Sequence, residues 1–400
     1  MKAGWETRML GDVCGTIQDG AHESPQELFS EPANGRFLYI TSKNIRTNYI
    51  DLGDVSYVDQ DFHNRIYPRC QPRLGDVLLT KDGASTGNVT LNTIVEPFSL
   101  LSSVCLIKTD PHVLEPAFLC YYLQSPDGLK SITGQMTGAA IKRIILRNIK
   151  LATIPLPRSS EQRRIVGILD KAFVGIASAK ANAEKNLQNS RALFESELQS
   201  VFAKRGDGWV EKKLGEVAEV QSGGTPLVSR KEYWGGSIPW YSSGELNDLF
   251  TTDPERHITK LGLDSSNAKL FPKGSLLIGM YDTAALKMSI LDREGTFNQA
   301  IAGVKPNSDI EVEFILHAIN TFKPKLMLQR RGVRQKNLSL GKIKEIALPV
   351  PKPSEQRDVI SRLRVFLTET RHLEAIYDRK IAALEALKKS LLHQAFSGQL

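Results

Sequence analysis

Cysteine is scarce in this 400-residue chain, with Cys14, Cys70, Cys105 and Cys120 all in the first half and no two spaced as a CxxC pair. That pattern excludes a disulfide scaffold or a zinc ribbon and makes the four small, buried apolar residues. Long hydrophobic runs are missing too. The stretch around Leu276–Gly279 falls far short of the ~20 residues that a membrane span needs. The opening residues Met1, Lys2, Ala3, Gly4, Trp5 and Glu6 contain no apolar leader core, so the expected location is the cytoplasm. The seven histidines are scattered, and neither HExxH nor a Cys/His cluster occurs. GxxxxGK[ST], an NPPY- or DPPY-type tetrapeptide for holding a flipped adenine, and an FxGxG-type S-adenosylmethionine loop are also absent. No catalytic residue, metal site or cofactor is therefore expected. Gly223-Gly-Thr-Pro226 is the one glycine-rich loop that invites a phosphate, but it lacks a strand–loop–helix setting and reads first as a turn.

The content is otherwise that of a soluble globular protein, 41% hydrophobic and 24% charged. Single cores stop growing beyond about 250–300 residues, so two or more domains are expected. The net charge of +8 points to an anionic partner, with nucleic acid first among the candidates.

The chain repeats itself. Pro155-Leu-Pro-Arg-Ser-Ser-Glu-Gln-Arg163 returns as Pro349-Val-Pro-Lys-Pro-Ser-Glu-Gln-Arg357, and 11 of the 26 positions in 138–163 are identical at that offset. Each half also opens alike: Trp5, Leu10, Gly11 and Val13 pair with Trp209, Leu214, Gly215 and Val217. Weaker pairs lie between, such as Tyr39-Ile-Thr-Ser42 with Trp240-Tyr-Ser-Ser243. Two copies of this size exclude a solenoid and suggest a pseudo-twofold molecule.

In each copy the PxP segment leads into a long heptad pattern. One seam runs through Ile165, Leu169, Ala172, Ile176, Ala179, Ala183, Leu187, Ser190, Phe194, Leu198 and Val201. The other runs through Val359, Leu363, Phe366, Thr370, Leu373, Tyr377, Lys380, Leu384, Leu387, Leu391 and Ala395. Ser160 and Ser354 are placed to cap these helices. Each helix would be ~60 Å long, more than a small domain can cover, so the two are expected to pack on each other antiparallel. The remainder reads as mixed α/β, with strands at Phe37–Ile40, Val77–Thr80, Val104–Ile107, Leu276–Ile278 and Ile346–Val350, and helices at Pro116–Gln124 and Val312–Asn320. The fold class expected is α+β: two mixed α/β domains separated by two long antiparallel coiled-coil helices. The divisions fall at 1–157, 158–206, 207–351 and 352–400, with net charges of −1, +4, +2 and +3. Most of the excess positive charge thus sits on the helices.

Taken together, the duplicated P-x-P-x-x-S-E-Q-R ahead of a heptad helix, the Trp-x-x-x-x-Leu-Gly-x-Val openings, Ser222-Gly-Gly-Thr-Pro226 and the ending Phe396-Ser-Gly-Gln-Leu400 resemble the specificity subunit of a type I restriction-modification system. The resemblance implies two target-recognition domains, each reading half of a split site in double-stranded DNA. It implies helices that act as spacers and dock two modification (methyltransferase) subunits, with restriction (translocase/nuclease) subunits joining outside. Chemistry would belong to those partners. Gln18-Asp-Gly-Ala-His22 stands where the second half has Gln221-Ser-Gly-Gly-Thr225, so the two domains are expected to read different sequences.

Groove readout needs polar side chains on loops. In the first half the DNA-binding candidates are Gln18, His22, Ser42, Lys43, Asn44, Arg46, Lys81, Asp82, Ser85, Lys142 and Arg143. In the second they are Ser222, Thr225, Ser243, Glu245, Tyr281, Asp282, Arg331, Arg334, Lys336 and Asn337. Lys142 and Lys336 occupy matching repeat positions and suit phosphate. Two competing readings stand beside this one: a coiled-coil scaffold without sequence-specific DNA binding, and a stand-alone nuclease or methyltransferase with an unfamiliar site.

Overall fold

A computed structural model describes residues 4–133, 143–206, 208–328 and 338–400. The chain forms two compact units: residues 1–184 with 379–400, and residues 185–378.

The first unit is built on a four-stranded sheet in the order Cys14–Asp19, Val104–Thr109, Val77–Thr80, Val89–Leu91. Beside it lies a three-stranded sheet in which Arg36–Ile40 runs antiparallel to Ser56–Asp59 and parallel to Ser99–Leu100. The second unit repeats this plan. Its four strands run Val220–Ser222, Ile301–Val304, Leu276–Gly279, Met288–Ile290, and Trp234–Tyr241 takes the middle of the three-stranded sheet, again with one parallel neighbour, Thr296–Phe297.

The opening motif of each half has a packing reason. Glu6–Met9 pairs with Thr153–Leu156, and Val210–Lys213 pairs with Ala347–Val350. Leu10 and Leu214 are wholly buried directly after their strands. The glycines that follow allow close approach: a Cβ on Gly11 would lie 3.0 Å from the Lys150 oxygen, and one on Gly215 would lie 2.9 Å from the Lys344 Cβ.

The repeated Ser-Glu-Gln-Arg also has one. Gln162 and Gln356 are both fully buried. The Gln162 side chain accepts from Glu115 N (2.8 Å) and donates to the oxygens of Val113 (2.9 Å) and Pro157 (2.8 Å). Gln356 does the same with Glu311 N (2.7 Å), Asp309 O (3.1 Å) and Pro351 O (2.9 Å). Each glutamine stitches the start of a long helix to the turn that opens the domain's own core helix.

The long helices are Ser159–Ala203 and Pro353–Ser397. Each starts at or before its predicted capping serine: Ser160 and Ser354 sit inside the first turn, where the backbone bonds run to Arg158 O and Lys352 O. Within each unit the two helices pack antiparallel. In the first, Arg164 bonds the Leu400 oxygen, Phe173 lies under the Lys388 ammonium (5.1 Å) and Lys180 pairs with Glu385 (2.6 Å). In the second, Arg191 faces Glu374 (3.8 Å), and Glu197 pairs with Arg362.

All eleven expected seam positions of the first long helix are buried or half-buried. The second seam is corrected over its last third. Lys380 and Leu387 are exposed, and the stripe runs instead through Ile381, Leu384, Lys388 and Leu391. Both tracks alternate steps of three and four. Lysine at 388 disguises the true one, because its long apolar stem lies in the seam while its ammonium rests on the Phe173 ring. Burial lowers the Lys388 pKa, with Lys180 adding to it.

The seams also join the domain cores. Ile165, Leu169, Phe173, Leu392, Ala395 and Phe396 share one cluster with Val77, Leu79, Ile107 and Phe118. Leu198, Phe202, Ile360 and Leu363 share another with Leu276, Ile278, Phe314 and Ile315.

Candidate nucleic-acid interface

Topology gathers the candidate loops. Cys14–Asp19 and Val77–Thr80 are both antiparallel to Val104–Thr109, so the loops that follow Asp19 and Thr80 leave the sheet at the same end. Val220–Ser222 and Leu276–Gly279 stand in the same relation to Ile301–Val304, which brings the loops after Ser222 and Gly279 together. Backbone contact holds the first loop of each pair down. A Cβ on Gly20 or Gly223 would meet the oxygen of Leu100 or Phe297 at 2.1 Å, so only glycine fits.

In the first unit this end is organised by the buried carboxylate of Asp19. Gln18 (3.2 Å) and Arg69 (2.7 Å) donate to Oδ1, and Lys81 (3.3 Å) and His22 (3.1 Å) face Oδ2. Burial works to raise the Asp19 pKa, but Arg69 and Lys81 outweigh it and hold the carboxyl below its ordinary range. Lys81 is only 3% exposed, so its charge is committed to this pair.

Ser42, Lys43, Arg46 and Ser85 line one cleft with Ala84 and Asn88. Ser85 Oγ donates to Ser42 O at 2.9 Å, and Asn88 Nδ2 donates to Ile45 O at 3.1 Å, which ties the two walls together. Lys43 and Arg46 pair loosely with Asp54 (3.3 Å) and Asp51 (3.4 Å). Asn44 lies beneath, buried, with its amide bonded to Asp51 O and Asp54 O and its carbonyl to Thr41; it shapes the loop. Asp82 and Arg143 form a bridge with their side chains 3.6 Å apart.

In the second unit Ser222, Gly223, Gly224 and Thr225 line a cleft with Asn267, Lys269 and Gln299. Thr225 Oγ1 donates to Gln299 Oε1 at 2.5 Å, and Trp240 Nε1 fixes the Gly224 oxygen at 3.0 Å. Ser243 opens the short turn Ser243–Glu245, and Glu245 is occupied in holding it, accepting from Ser242 N (2.7 Å) and Glu255 N (2.9 Å). Tyr281 is half-buried against the core, and Asp282 begins the turn Asp282–Ala284. Lys142, Arg331, Arg334, Lys336 and Asn337 lie outside the described residues.

The same backbone carries unlike chemistry in the two copies. Lys81 N bonds Ser103 O and Lys81 O accepts from Ile144 N; Met280 makes the corresponding bonds to Ala300 O and Leu338 N. The buried Asp19–Lys81 pair is thus replaced by Ser222 and the buried, apolar Met280. Arg69, Asn88, Asn267, Lys269 and Gln299 join these surfaces without any sequence signal, since only the tertiary fold carries them there. Among the described residues no group of three or more His, Cys, Asp or Glu is placed to hold a metal ion. The cysteines are buried or half-buried, and burial pushes the Cys14, Cys70 and Cys120 thiols up to about 12.

Fold and site together define a duplicated α+β protein with two unlike polar loop surfaces, each on a domain whose core packs against a pair of antiparallel helices. The family described as "Type I restriction modification DNA specificity domain" matches residues 2–186 and 206–382, and the chain belongs to it. The specificity subunit of the type I restriction enzyme EcoR124I/EcoR124II from Escherichia coli is 28% identical over 249 residues, 58% of this chain. That match spans 59% of the relative's length. Two solved structures share the fold at 20% identity. One, from work on complex assembly and conformational transition of the type I R-M system, has a TM-score of 0.81 and covers 100% of this chain and 99% of its own. The other, the HsdS subunit from Thermoanaerobacter tengcongensis, has a TM-score of 0.64 and covers 100% and 98%.

Proposed function

We propose that the chain is the sequence-specific DNA-recognition subunit of a type I restriction-modification complex. Residues 1–157 and 207–351 each read one half of a bipartite site in double-stranded DNA. The segments 158–206 and 352–400 set the spacing and dock two methyltransferase subunits, to which restriction subunits add. Methylation and cleavage belong to those partners, and the chain contributes the address and no cofactor.

The observation that carries this reading is the exchange of Asp19 and Lys81 for Ser222 and Met280 on matching backbone. A scaffold duplicated only to bind protein symmetrically would gain nothing from changing its buried polar chemistry at one end of the sheet. Two readers of different half-sites need such a change, because base edges are told apart by donor and acceptor pattern. Arg69, Lys43, Arg46 and Lys269 supply donors for that readout, and helix charge supplies the sequence-independent attraction.

Selection of bound duplexes from a random library by the assembled complex tests the reading. The expected enrichment is a split motif with two unlike halves and an unread gap. A single continuous motif, or none, would overturn it.

A further inference from the structure

The cluster at Asp19 also shapes an arginine. Arg69 ends the turn Tyr67–Arg69, next to the loop that leaves the sheet after Asp19. Its Nε donates to the oxygens of Asp19 (2.9 Å) and Gly20 (3.0 Å), and its Nη2 donates to Asp19 Oδ1 at 2.7 Å. These bonds fix the plane of the guanidinium. Nη1 and the second Nη2 hydrogen have no partner among the described residues, on a side chain that is 41% exposed. Asp19 is itself paired at 3.3 Å with Lys81, which is as deeply buried as the carboxylate.

Guanine presents two acceptors, N7 and O6, to a planar pair of donors in the major groove. A phosphate can also take a bidentate arginine, but that contact carries no sequence information, and a lysine keeps its charge part as a point cation. A fork locked before DNA arrives, with donors left unspent, suits the first task, because the rotamer entropy is already lost in the free protein. The second unit has no carboxylate at this place, since Ser222 and Met280 stand there.

We propose that Arg69 reads a guanine in the half-site bound by the first recognition domain, with Asp19 as the residue that positions it. This rests on the DNA-recognition reading above and names a specificity residue within it.

The test is selection from duplex libraries by the assembled complex containing the full chain, with two variants beside the parent. Arg69→Lys keeps the charge and removes the fork. Asp19→Ser with Lys81→Met copies the pair that the second unit uses, so no buried charge is left alone, and it removes the carboxylate that holds Arg69 Nη2 while the two backbone bonds to Nε remain. Both variants are expected to lose preference for guanine at one position of one half-site by roughly ten- to a hundredfold. The other half-site should stay unchanged, which also shows that the variants fold and assemble. The proposal is overturned if Arg69→Lys keeps the parent's preference, the result for a phosphate contact or a purely structural arginine. It is equally overturned if the parent's first half-site contains no G·C pair. If the parent enriches no split motif at all, the recognition reading itself fails, a result distinguishable from both.

Discussion

Glu313 shows how a single carboxylate holds one of the long helices to its domain. It is 6% exposed, and Arg364 of the second long helix donates to it through Nε at 2.9 and 3.1 Å and through Nη2. His317 faces it at 3.7 Å. Burial alone would raise the Glu313 carboxyl, but His317 and Arg364 overcome that and lower it from 4.5 to about 2. Because the folded value is depressed, the stabilisation is present above the unfolded pKa and is lost as pH falls from 4.5 toward 2. Arg364 is 60% exposed, so solvent reduces the contribution to about 2 kcal/mol. Urea unfolding of Glu313→Gln against the parent should show that difference at pH 7 and its disappearance near pH 2; a difference independent of pH would contradict the assignment. The stitching glutamines give a second expectation. Gln356→Leu leaves Glu311 N, Asp309 O and Pro351 O unpaired, costing about 2–4 kcal/mol, and Gln162→Leu should cost the same through its own three partners. The repeated Ser-Glu-Gln-Arg was visible in the sequence, but its role was not: two of each glutamine's three partners lie more than forty residues upstream.

The elements most readable from sequence are those whose pattern is local. Pro116–Gln124 and Val77–Thr80 form with the bounds their composition suggests. The helix from Val312 runs on to Leu328, past the expected end at Asn320 and through Pro324, because Phe322 and Leu326 continue its apolar face against the core. The distal seam fails for a related reason. Heptad spacing offered Leu387, while the packed structure uses Lys388, whose apolar stem is hidden behind a charged name. This yields a contrast between two leucines five residues apart. Leu392 is 3% exposed and Leu387 is 47% exposed. Leu392→Ala should destabilise by about 2–5 kcal/mol, whereas Leu387→Ala should stay within about 0.5 kcal/mol. Equal losses in thermal unfolding would restore the seam read from spacing alone.

For the whole molecule, the duplication was legible from matching motifs, and so was the balance of charge between helices and domains. The chemistry of the two proposed reading surfaces was legible only in part. Gln18, His22 and Lys81 converge as a cluster, but on Asp19 and Arg69, which the spacing of residues does not single out. The helices' proposed work as a ruler has its own expectation. Lys180–Glu385 joins the two helices within the first unit and Arg191–Glu374 within the second, so an added heptad is placed in both helices, between residues 184 and 185 and between 378 and 379. Seven residues add ~10 Å, or about three base pairs of gap. Mapping methylated adenines should reveal the longer gap with both half-sites intact, and an unaltered gap would remove the helices from that role. Most direct of all is a chimera in which residues 209–351 are replaced by the equivalent segment of another family member, assembled with the same partner subunits and read out by methylation mapping. One half-site is expected to change while the other half-site and the gap are retained. A change in both half-sites, or in neither, would contradict that expectation.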